Sequence, residues 1–357
     1  MSEVRKIRTK KDIGSAVFLA AAVYVAVSAL VFPARTAESV TAALLLSVRA
    51  VVPALFPFVM AYRIMSPRLV AIFSKMKAAG RFFGVGAGGL CMMMSGLLSG
   101  FPTAAVMYSE LEKIGAIDEN EGESLMPFCS GASAAFLIGA VGDKMFGDAL
   151  FGVRLLACQT AAALILIFAT RRSRRSSPPI SRENTRITPS NAARAVFDTG
   201  MTMIGVASFI AAFSVLSDAL AADFRLDGFF DSVVRSALEI SGGLAAISRI
   251  GGAGRYLAGF AVGFSGFSVF LQCHFASRGA AMKKYVSGKI LMSAVTGALF
   301  AATEFFRAAP VFFEIFGERA SAAKDTAKFF FTIIAIAIPC VFIAAFVLFK
   351  AQKAKNK

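Results

Sequence analysis

The chain has 357 residues, of which 57% are hydrophobic, and its mean hydropathy is +0.69. A soluble domain of this size needs more polar residues to cover its surface, so the composition excludes an ordinary soluble protein. The formal net charge is +16, but the basic residues cluster beside apolar segments, as they do in membrane proteins. No aromatic-basic recognition module accompanies them, so we expect a lipid bilayer as partner and no nucleic acid.

Six apolar segments each have the roughly 20 residues that a helix needs to cross the hydrocarbon of a bilayer. Backbone groups in lipid must pair internally and the segments lack strand alternation, so we predict helices. The first is preceded by basic residues but has no clear cleavage site, which favours an uncleaved span over a signal peptide. The six segments are Ile13–Phe32, Ala42–Ala61, Leu150–Thr170, Ala195–Leu216, Ser287–Phe306 and Phe329–Phe349.

Two regions between these spans, Gly84–Gly142 and Ala237–Ala276, are apolar but interrupted every few residues by Gly, Ser or Pro. Small residues of this kind let helices pack closely in a membrane. They also occur in discontinuous or re-entrant helices, whose free ends face a cavity. The corresponding placement of the two regions in the two halves of the chain favours the second interpretation.

A basic stretch rich in Ser and Pro, Arg171–Ser190, is predicted to be a flexible cytoplasmic linker. It separates an N-terminal half (1–170) from a C-terminal half (191–357). The basic flanks predict eight crossings with both termini in the cytoplasm of a bacterial cell. The acidic segments Glu110–Glu123 and Asp218–Asp231 then fall outside.

The two halves align loosely with each other. Val51–Ser66 aligns with Thr202–Ser217, and Ser130–Ser133 aligns with Ser265–Ser268 at an offset of 135 positions. The orientation argument gives the aligned spans opposite directions. The expected fold is therefore an all-α membrane bundle of two inverted-topology repeats with discontinuous or re-entrant helices.

Five short runs carry a resemblance to a known family: Ser99–Thr103, Phe128–Gly131, Ile138–Gly142, Leu238–Gly243 and Gly263–Gln272. They resemble the sporulation integral membrane proteins of the YlbJ/SpoVV type, within the wider group that carries the nucleoside-recognition or Gate domain. The resemblance covers roughly residues 40–305. The family commonly has an Asn-rich, Pro-containing stretch after Phe-Cys, where this chain has Ser130–Ala134.

The resemblance implies a fold akin to the core of concentrative nucleoside transporters. It also implies that the protein carries dipicolinate across the outer forespore membrane of a spore-forming bacterium by alternating access. A homo-oligomer, or an assembly with other sporulation membrane proteins, is compatible with that role. The alternatives are a transporter of nucleosides or other small solutes, and a membrane scaffold that transports nothing.

An anionic solute needs hydrogen-bond donors and positive potential, which helix N-termini and short hydroxyl groups supply. For any single serine the alternative is a bond back to its own helix. We expect the interrupted segments to converge near the midplane around one cavity. The candidate substrate-binding residues are Ser99, Gly100, Phe101, Thr103, Ser130, Gly131, Ser133, Ser241, Gly242, Ser265, Gly266, Ser268 and Gln272.

Charged residues in apolar surroundings need a reason, because they are expensive in a membrane. Glu239 could bind a coupling proton or sodium ion, could pair with Arg249, or could lie near the interface. Arg154 and Lys289 lie early in their spans, where they could reach the interface or attract an anion. His274 is expected to be a packing residue.

Catalytic and metal-binding patterns are missing from the sequence. It has no HExxH or Gly-x-Ser-x-Gly motif and no paired histidines, so we expect neither an enzyme nor a metal site. Five cysteines without paired spacing are expected to be small core residues. Apart from a coupling ion, no cofactor is expected.

Overall fold

The structure is a computed structural model that describes residues 2–171 and 188–308. Every regular element in these residues is helical, which confirms the prediction of a helical protein. The predicted segment Phe329–Phe349 and most of the linker lie outside the described residues.

Eight α-helices precede the linker, with π-helical segments at Ser47–Val51 and Ala135–Met145. The second of these is called the π segment below. The eight helices are α1 (Ser2–Val31), α2 (Pro33–Leu46), α3 (Val52–Phe73), α4 (Lys77–Phe83), α5 (Ala87–Ser99), α6 (Thr103–Lys113), α7 (Glu119–Cys129) and α8 (Ala149–Ala169).

Six α-helices follow the linker within the described residues. They are α9 (Pro189–Asp223), α10 (Gly228–Leu238), α11 (Ile240–Arg249), α12 (Gly252–Phe264), α13 (Gly266–Ala276) and α14 (Tyr285–Ala308). Within the described residues, four helices begin at side-chain caps: Asp118 for α7, Asp148 for α8, Thr188 for α9 and Glu239 for α11. Each accepts a bond from the backbone N–H three residues later.

Five helical stretches in the described residues are long and apolar enough to cross a membrane, and a sixth results if the bent pair α4 and α5 (78°) counts as one. The chain is therefore a helical membrane protein. The helical stretch that contains Ala42–Ala61 is longer than predicted. The predicted first span corresponds to the apolar part of α1, Ser15–Val31, which is shorter than the five spanning stretches. The five are Pro33–Phe73, Ala149–Ala169, Pro189–Asp223, Gly252–Ala276 and Tyr285–Phe305.

Large apolar side chains cover the outside of the bundle. Leu30 on α1 is 82% exposed and Phe197 on α9 is 69% exposed, whereas side chains of α6 and α7 such as Val106 and Leu125 are fully buried. An apolar exterior around a buried core is what a helix bundle surrounded by lipid requires.

Helices α5 and α6 form a hairpin, because the start of α5 meets the chain just after α6. A Cβ atom on Gly88 would lie 2.1 Å from the carbonyl oxygen of Ala116. Helices α10 and α11 form a second hairpin, in which a Cβ atom on Gly243 would lie 2.2 Å from the Cα of Ser236. Both hairpins are bent where the sequence predicted interruptions.

Each hairpin is followed by an interrupted helix. Residues 130–133 separate α7 from the π segment, and Ser265, in the left-handed conformation (φ 69°), separates α12 from α13. The π segment packs on α8, where a Cβ on Gly152 would lie 2.1 Å from the carbonyl oxygen of Leu137. Some of the small residues thus allow close helix packing, and others lie at the interruptions.

The two acidic segments lie at opposite ends of α9, so the prediction that both face outside is wrong. Glu110 bonds to Arg63 (2.5 Å), which lies 4.0 Å from Asp198 near the start of α9. The segment Asp218–Asp231 begins 20 residues further along the same helix, about 30 Å away at 1.5 Å per residue. Glu110–Glu123 instead pairs with basic side chains at its own end of the bundle.

Candidate functional site

The tip of the first hairpin is fastened to the interruption at 130–133. The backbone N–H of Phe101 donates to the carbonyl of Gly131 (2.7 Å). Gly100 has φ 76°, and a Cβ atom there would lie 2.5 Å from the backbone nitrogen of Ser133. Only glycine has both the conformational freedom and the small size for this position.

Gln159 on α8 fills the hydrogen bonds that this interruption leaves open. Its Oε1 accepts from the backbone N–H of Ala132 (2.9 Å), and its Nε2 donates to the carbonyl of the same residue (3.0 Å). Gln159 was not among the predicted site residues. Its signal was a carboxamide inside an otherwise apolar predicted span, where a polar group needs buried partners.

The tip of the second hairpin is Glu239, in extended conformation between α10 and α11. The residue is buried, and its carboxylate Oε2 accepts from the backbone N–H of Gly242 (2.7 Å). The interruption therefore precedes Ser241 and Gly242, which belong to the first turn of α11. That turn already has an anionic cap from its own chain.

Glu239 does not pair with Arg249. Arg249 is the last residue of α11, at the opposite end of the helix, which excludes the pairing from the three alternatives for Glu239. Among the residues that the structure describes, no Lys or Arg lies within 4.0 Å of the Glu239 carboxylate. It is also buried inside the bundle, which argues against the interfacial alternative.

The interruption at Ser265 lies against the tip of the second hairpin. Gly266 has φ 84°, and a Cβ there would lie 3.2 Å from the carbonyl oxygen of Leu238 and 3.4 Å from the nitrogen of Ile240. Further along α13, Gln272 Nε2 donates to the hydroxyl of Ser268 (3.1 Å).

Lys289 on α14 joins the two interruptions. Its ammonium donates to the carbonyl oxygen of Ser130 and to the hydroxyl of Ser265, with 3.0 Å to the latter. The residue is 1% exposed, so its side chain points inward instead of reaching for the interface. The two hairpin tips and the two interruptions therefore form one connected set of contacts, here called the junction.

Several polar atoms at the junction are buried without a hydrogen-bond partner in the described part of the chain. They include Ser99 Oγ and Thr103 Oγ1, on either side of the first tip, and a further such atom, Gln272 Oε1, lies on α13 seven residues beyond Ser265. Leaving a buried polar group unsatisfied costs about 1–3 kcal/mol, so such groups mark positions where a ligand or water is favoured. All three are predicted site residues.

The aromatic side chains of this region have different surroundings. Phe101 is partly buried at the junction, whereas Phe267 is exposed and meets Phe264 edge to face at 5.6 Å. His274 is exposed and stacks on Phe270, with ring centroids 6.1 Å apart. Within the described residues, no group of three or more His, Cys, Asp or Glu side chains could hold a metal ion.

Arg154 belongs to a separate charged cluster. Arg154 and Arg255 both pair with Asp148 (3.4 and 3.0 Å) and with Glu304 (3.0 and 2.8 Å). The cluster ties the starts of α8 and α12 to the end of α14. Glu304 lies 15 residues after Lys289, about 22 Å along α14, so Arg154 does not reach the junction.

No protein-family model, no curated protein and no solved structure matches the chain. The family resemblance therefore rests on the sequence motifs, and membership of that family stays a prediction. The fold class is established by the helices themselves: this chain is a polytopic α-helical membrane protein.

Proposed function

We propose that the protein transports a small anionic solute across a membrane. The observation that carries the proposal is the junction, where two hairpin tips and two helix interruptions meet inside an apolar bundle. Interrupted backbone exposes polar groups that lipid cannot satisfy, and membrane proteins tolerate it where it is buried in protein or lines a path for solute.

Two helices begin at the junction, and at the start of α6 the N–H groups of Thr103, Ala105 and Val106 already bond to the carbonyl oxygens of Gly100 and Pro102. Neither α6 nor α13 has a side-chain cap, and the two helices pack against each other. The unpaired Thr103 hydroxyl lies in the first turn of α6, where it can donate to an anion. The positive end of the helix dipole and a hydroxyl donor together favour a carboxylate ligand.

The charge of the junction also favours an anion. Lys289 is buried there without a carboxylate within ion-pair distance among the described residues. A buried cation without a carboxylate partner attracts a solute of opposite charge. Dipicolinate is the solute that the resemblance implies. A nucleoside, the alternative solute, is neutral and would not be attracted by this charge.

The order of elements supports two inverted repeats. A hairpin, an interrupted helix and a continuous helix follow each other as α5/α6, α7 with the π segment, and α8. The same order recurs as α10/α11, α12 with α13, and α14. We propose that the halves have opposite orientations and rearrange around the junction in alternating access, and that Glu239 carries a coupling proton.

The proposed location is a bacterial cell membrane, with the linker and both termini in the cytoplasm. In support, Gly84 lies against Arg171, since a Cβ there would be 2.9 Å from the Cβ of Arg171. This contact brings the basic segment 63–81 to the end where the linker begins. A single cysteine at Ser177, in a chain whose own cysteines are replaced, should resist an impermeant thiol reagent in intact cells. Strong external labelling would reverse the orientation.

Binding and uptake with three ligands test the proposal. Purified protein should bind dipicolinate more tightly than a nucleoside or a simple aliphatic dicarboxylate. Proteoliposomes should accumulate labelled dipicolinate above protein-free liposomes, and the recovered solute should be chemically unchanged. Preference for the nucleoside would favour a nucleoside transporter. Chemical conversion would indicate an enzyme, and no binding of any ligand would favour a scaffold.

A further inference from the structure

The ammonium group of Lys289 lies where two α-helices end. Helix α7 ends at Cys129, and α12 ends at Phe264. Lys289 donates to the residue that follows each of them, Ser130 in one case and Ser265 in the other. The C-terminus of a helix carries a partial negative charge on its free carbonyl groups, so both helices stabilise a cation at this point.

The hydroxyl of Ser265 links the end of α12 to the ammonium through two hydrogen bonds. The hydroxyl donates to the carbonyl oxygen of Val262, in the last turn of α12 (3.0 Å), and accepts from Lys289 (3.0 Å). The ring of Tyr285 adds a further favourable contact, with the ammonium 5.8 Å from its centroid. The ligands of the charge are thus a main-chain carbonyl, a hydroxyl and an aromatic face.

Other basic residues in the bundle are held differently. Arg63 has Glu110 as its partner, and Lys283 has Glu123 at 3.4 Å. No carboxylate in the described residues lies within 4.0 Å of the Lys289 ammonium. Carbonyl and hydroxyl oxygens at the ends of interrupted helices are instead the groups with which membrane transporters coordinate a free monovalent cation.

We propose that the Lys289 ammonium permanently occupies a monovalent-cation site formed by the two helix interruptions, in place of a bound Na⁺ or K⁺. The side chain then holds the two halves together at the junction without any dissociable ion. It also leaves a fixed positive charge beside the solute. The inference deepens the proposed function by making solute transport independent of Na⁺ at this site, but its main test does not require transport.

Thermal unfolding of purified protein in NaCl, KCl and N-methylglucamine chloride, at equal ionic strength, provides that test. The wild-type melting temperature should be the same in all three salts. Lys289→Ala should unfold at a lower temperature, and Na⁺ or K⁺ should raise it by about 2–4 °C in a saturable way, because the vacated oxygens now bind the ion. Lys289→Met, which removes the charge but fills the space, should be destabilised equally in every salt.

Two results would overturn the proposal. One is a melting temperature of Lys289→Ala that is equal in all three salts; the other is a Na⁺-specific stabilisation of the wild type. Should Lys289→Ala be too unstable to purify, Lys289→Ser, which adds one oxygen ligand, takes its place. Failure of both to fold in high NaCl while Lys289→Met folds would also contradict a cation site.

Uptake separates this inference from the transport proposal. Wild-type proteoliposomes should take up solute at equal rates with Na⁺ or N-methylglucamine outside. Absence of uptake in any salt, together with the expected melting behaviour, would refute transport and leave the cation site intact. Uptake that requires Na⁺ would refute the replacement of Na⁺ by Lys289 and leave transport intact.

Discussion

The two hairpins occupy corresponding places in the order of helices but differ in the chemistry of their tips. In the first, α6 begins without a side-chain cap, and two hydroxyls beside the tip, on Ser99 and Thr103, have no partner among the described residues. In the second, the buried carboxylate of Glu239 caps α11 through the N–H of Gly242. The first tip is neutral and open to an acceptor, whereas the second is anionic and already satisfied.

The contrast teaches that a helix N-terminus inside a bundle attracts a ligand only when the chain does not supply its own anion. Ser241 and Gly242 resemble Ser99 and Gly100 in sequence, yet only Ser241 and Gly242 follow a capping carboxylate, that of Glu239. We therefore assign solute binding to the first tip and the coupling proton to the second. The following variants test this assignment, from the largest expected effect to the smallest.

Replacing the glycines at the two tips should have effects of opposite sign. Gly100→Ala should destabilise the protein by more than about 2 kcal/mol and abolish uptake, because the residue has positive φ and meets Ser133. Gly242→Ala should be neutral or stabilise by roughly 0.5–1 kcal/mol, since this helical glycine has ordinary φ and its Cβ would lie 3.5 Å from Glu239. Equal melting temperatures for the two variants would contradict the different packing of the tips.

Substituting Glu239 should separate capping from charge. Glu239→Gln keeps an oxygen acceptor, so its stability should stay within about 1 kcal/mol of wild type, while Glu239→Ala should lose about 1–2 kcal/mol with the cap. Uptake should fall below about a tenth in both, because moving a charge or proton needs the carboxylate. Asp118→Asn, which alters the cap of α7 outside the junction, is the matched control and should keep its uptake. Full activity of Glu239→Gln would reduce Glu239 to a structural cap.

Removing an unpaired hydroxyl should affect binding and stability in opposite directions. Thr103→Val should bind the solute about fivefold more weakly, since one hydrogen bond is worth about 1 kcal/mol, and should be as stable as wild type or slightly more so. Thr296→Val removes an equally buried, unpaired hydroxyl seven residues beyond Lys289, and should leave binding unchanged. Titration calorimetry measures both, and equal losses would exclude a specific role for Thr103.

The smallest expected effect is a loss of stability at low pH, at a carboxylate far from both tips. Burial opposes ionisation of Asp148, but hydrogen bonds from Arg255 and from the N–H of Phe151 outweigh it, so its pKa lies below the ordinary value. The stability that this carboxylate contributes is therefore complete above about pH 4 and is lost as the pH falls through the lowered pKa. Asp148→Asn should make the melting temperature less dependent on pH in that range only. The same acid response in wild type and variant would exclude Asp148 as its source.

Helices and their interruptions were predictable because both depend on local chemistry. Apolar runs of spanning length predicted α8 within one residue at each end, and Gly and Ser marked the interruptions at Gly100 and Ser265. The second tip was predicted two residues late. Ser241 and Gly242 fit a helix end by composition, but the capping bond from Glu239 sets the actual start of α11.

Partners across the bundle were not predictable, because they depend on which helices pack together. Lys289 occurs early in a predicted span, where a lysine ordinarily reaches the interface, and only the meeting of α7, α12 and α14 turns it inward. Gln159 and the pairing of Glu110 with Arg63 were decided in the same way. The sequence by itself determined that the chain is a bundle of apolar helices with interruptions, since hydropathy and small residues act locally. Only the tertiary structure decided which buried charges and hydroxyls share the junction, because a buried polar group takes its partners from whatever elements pack around it.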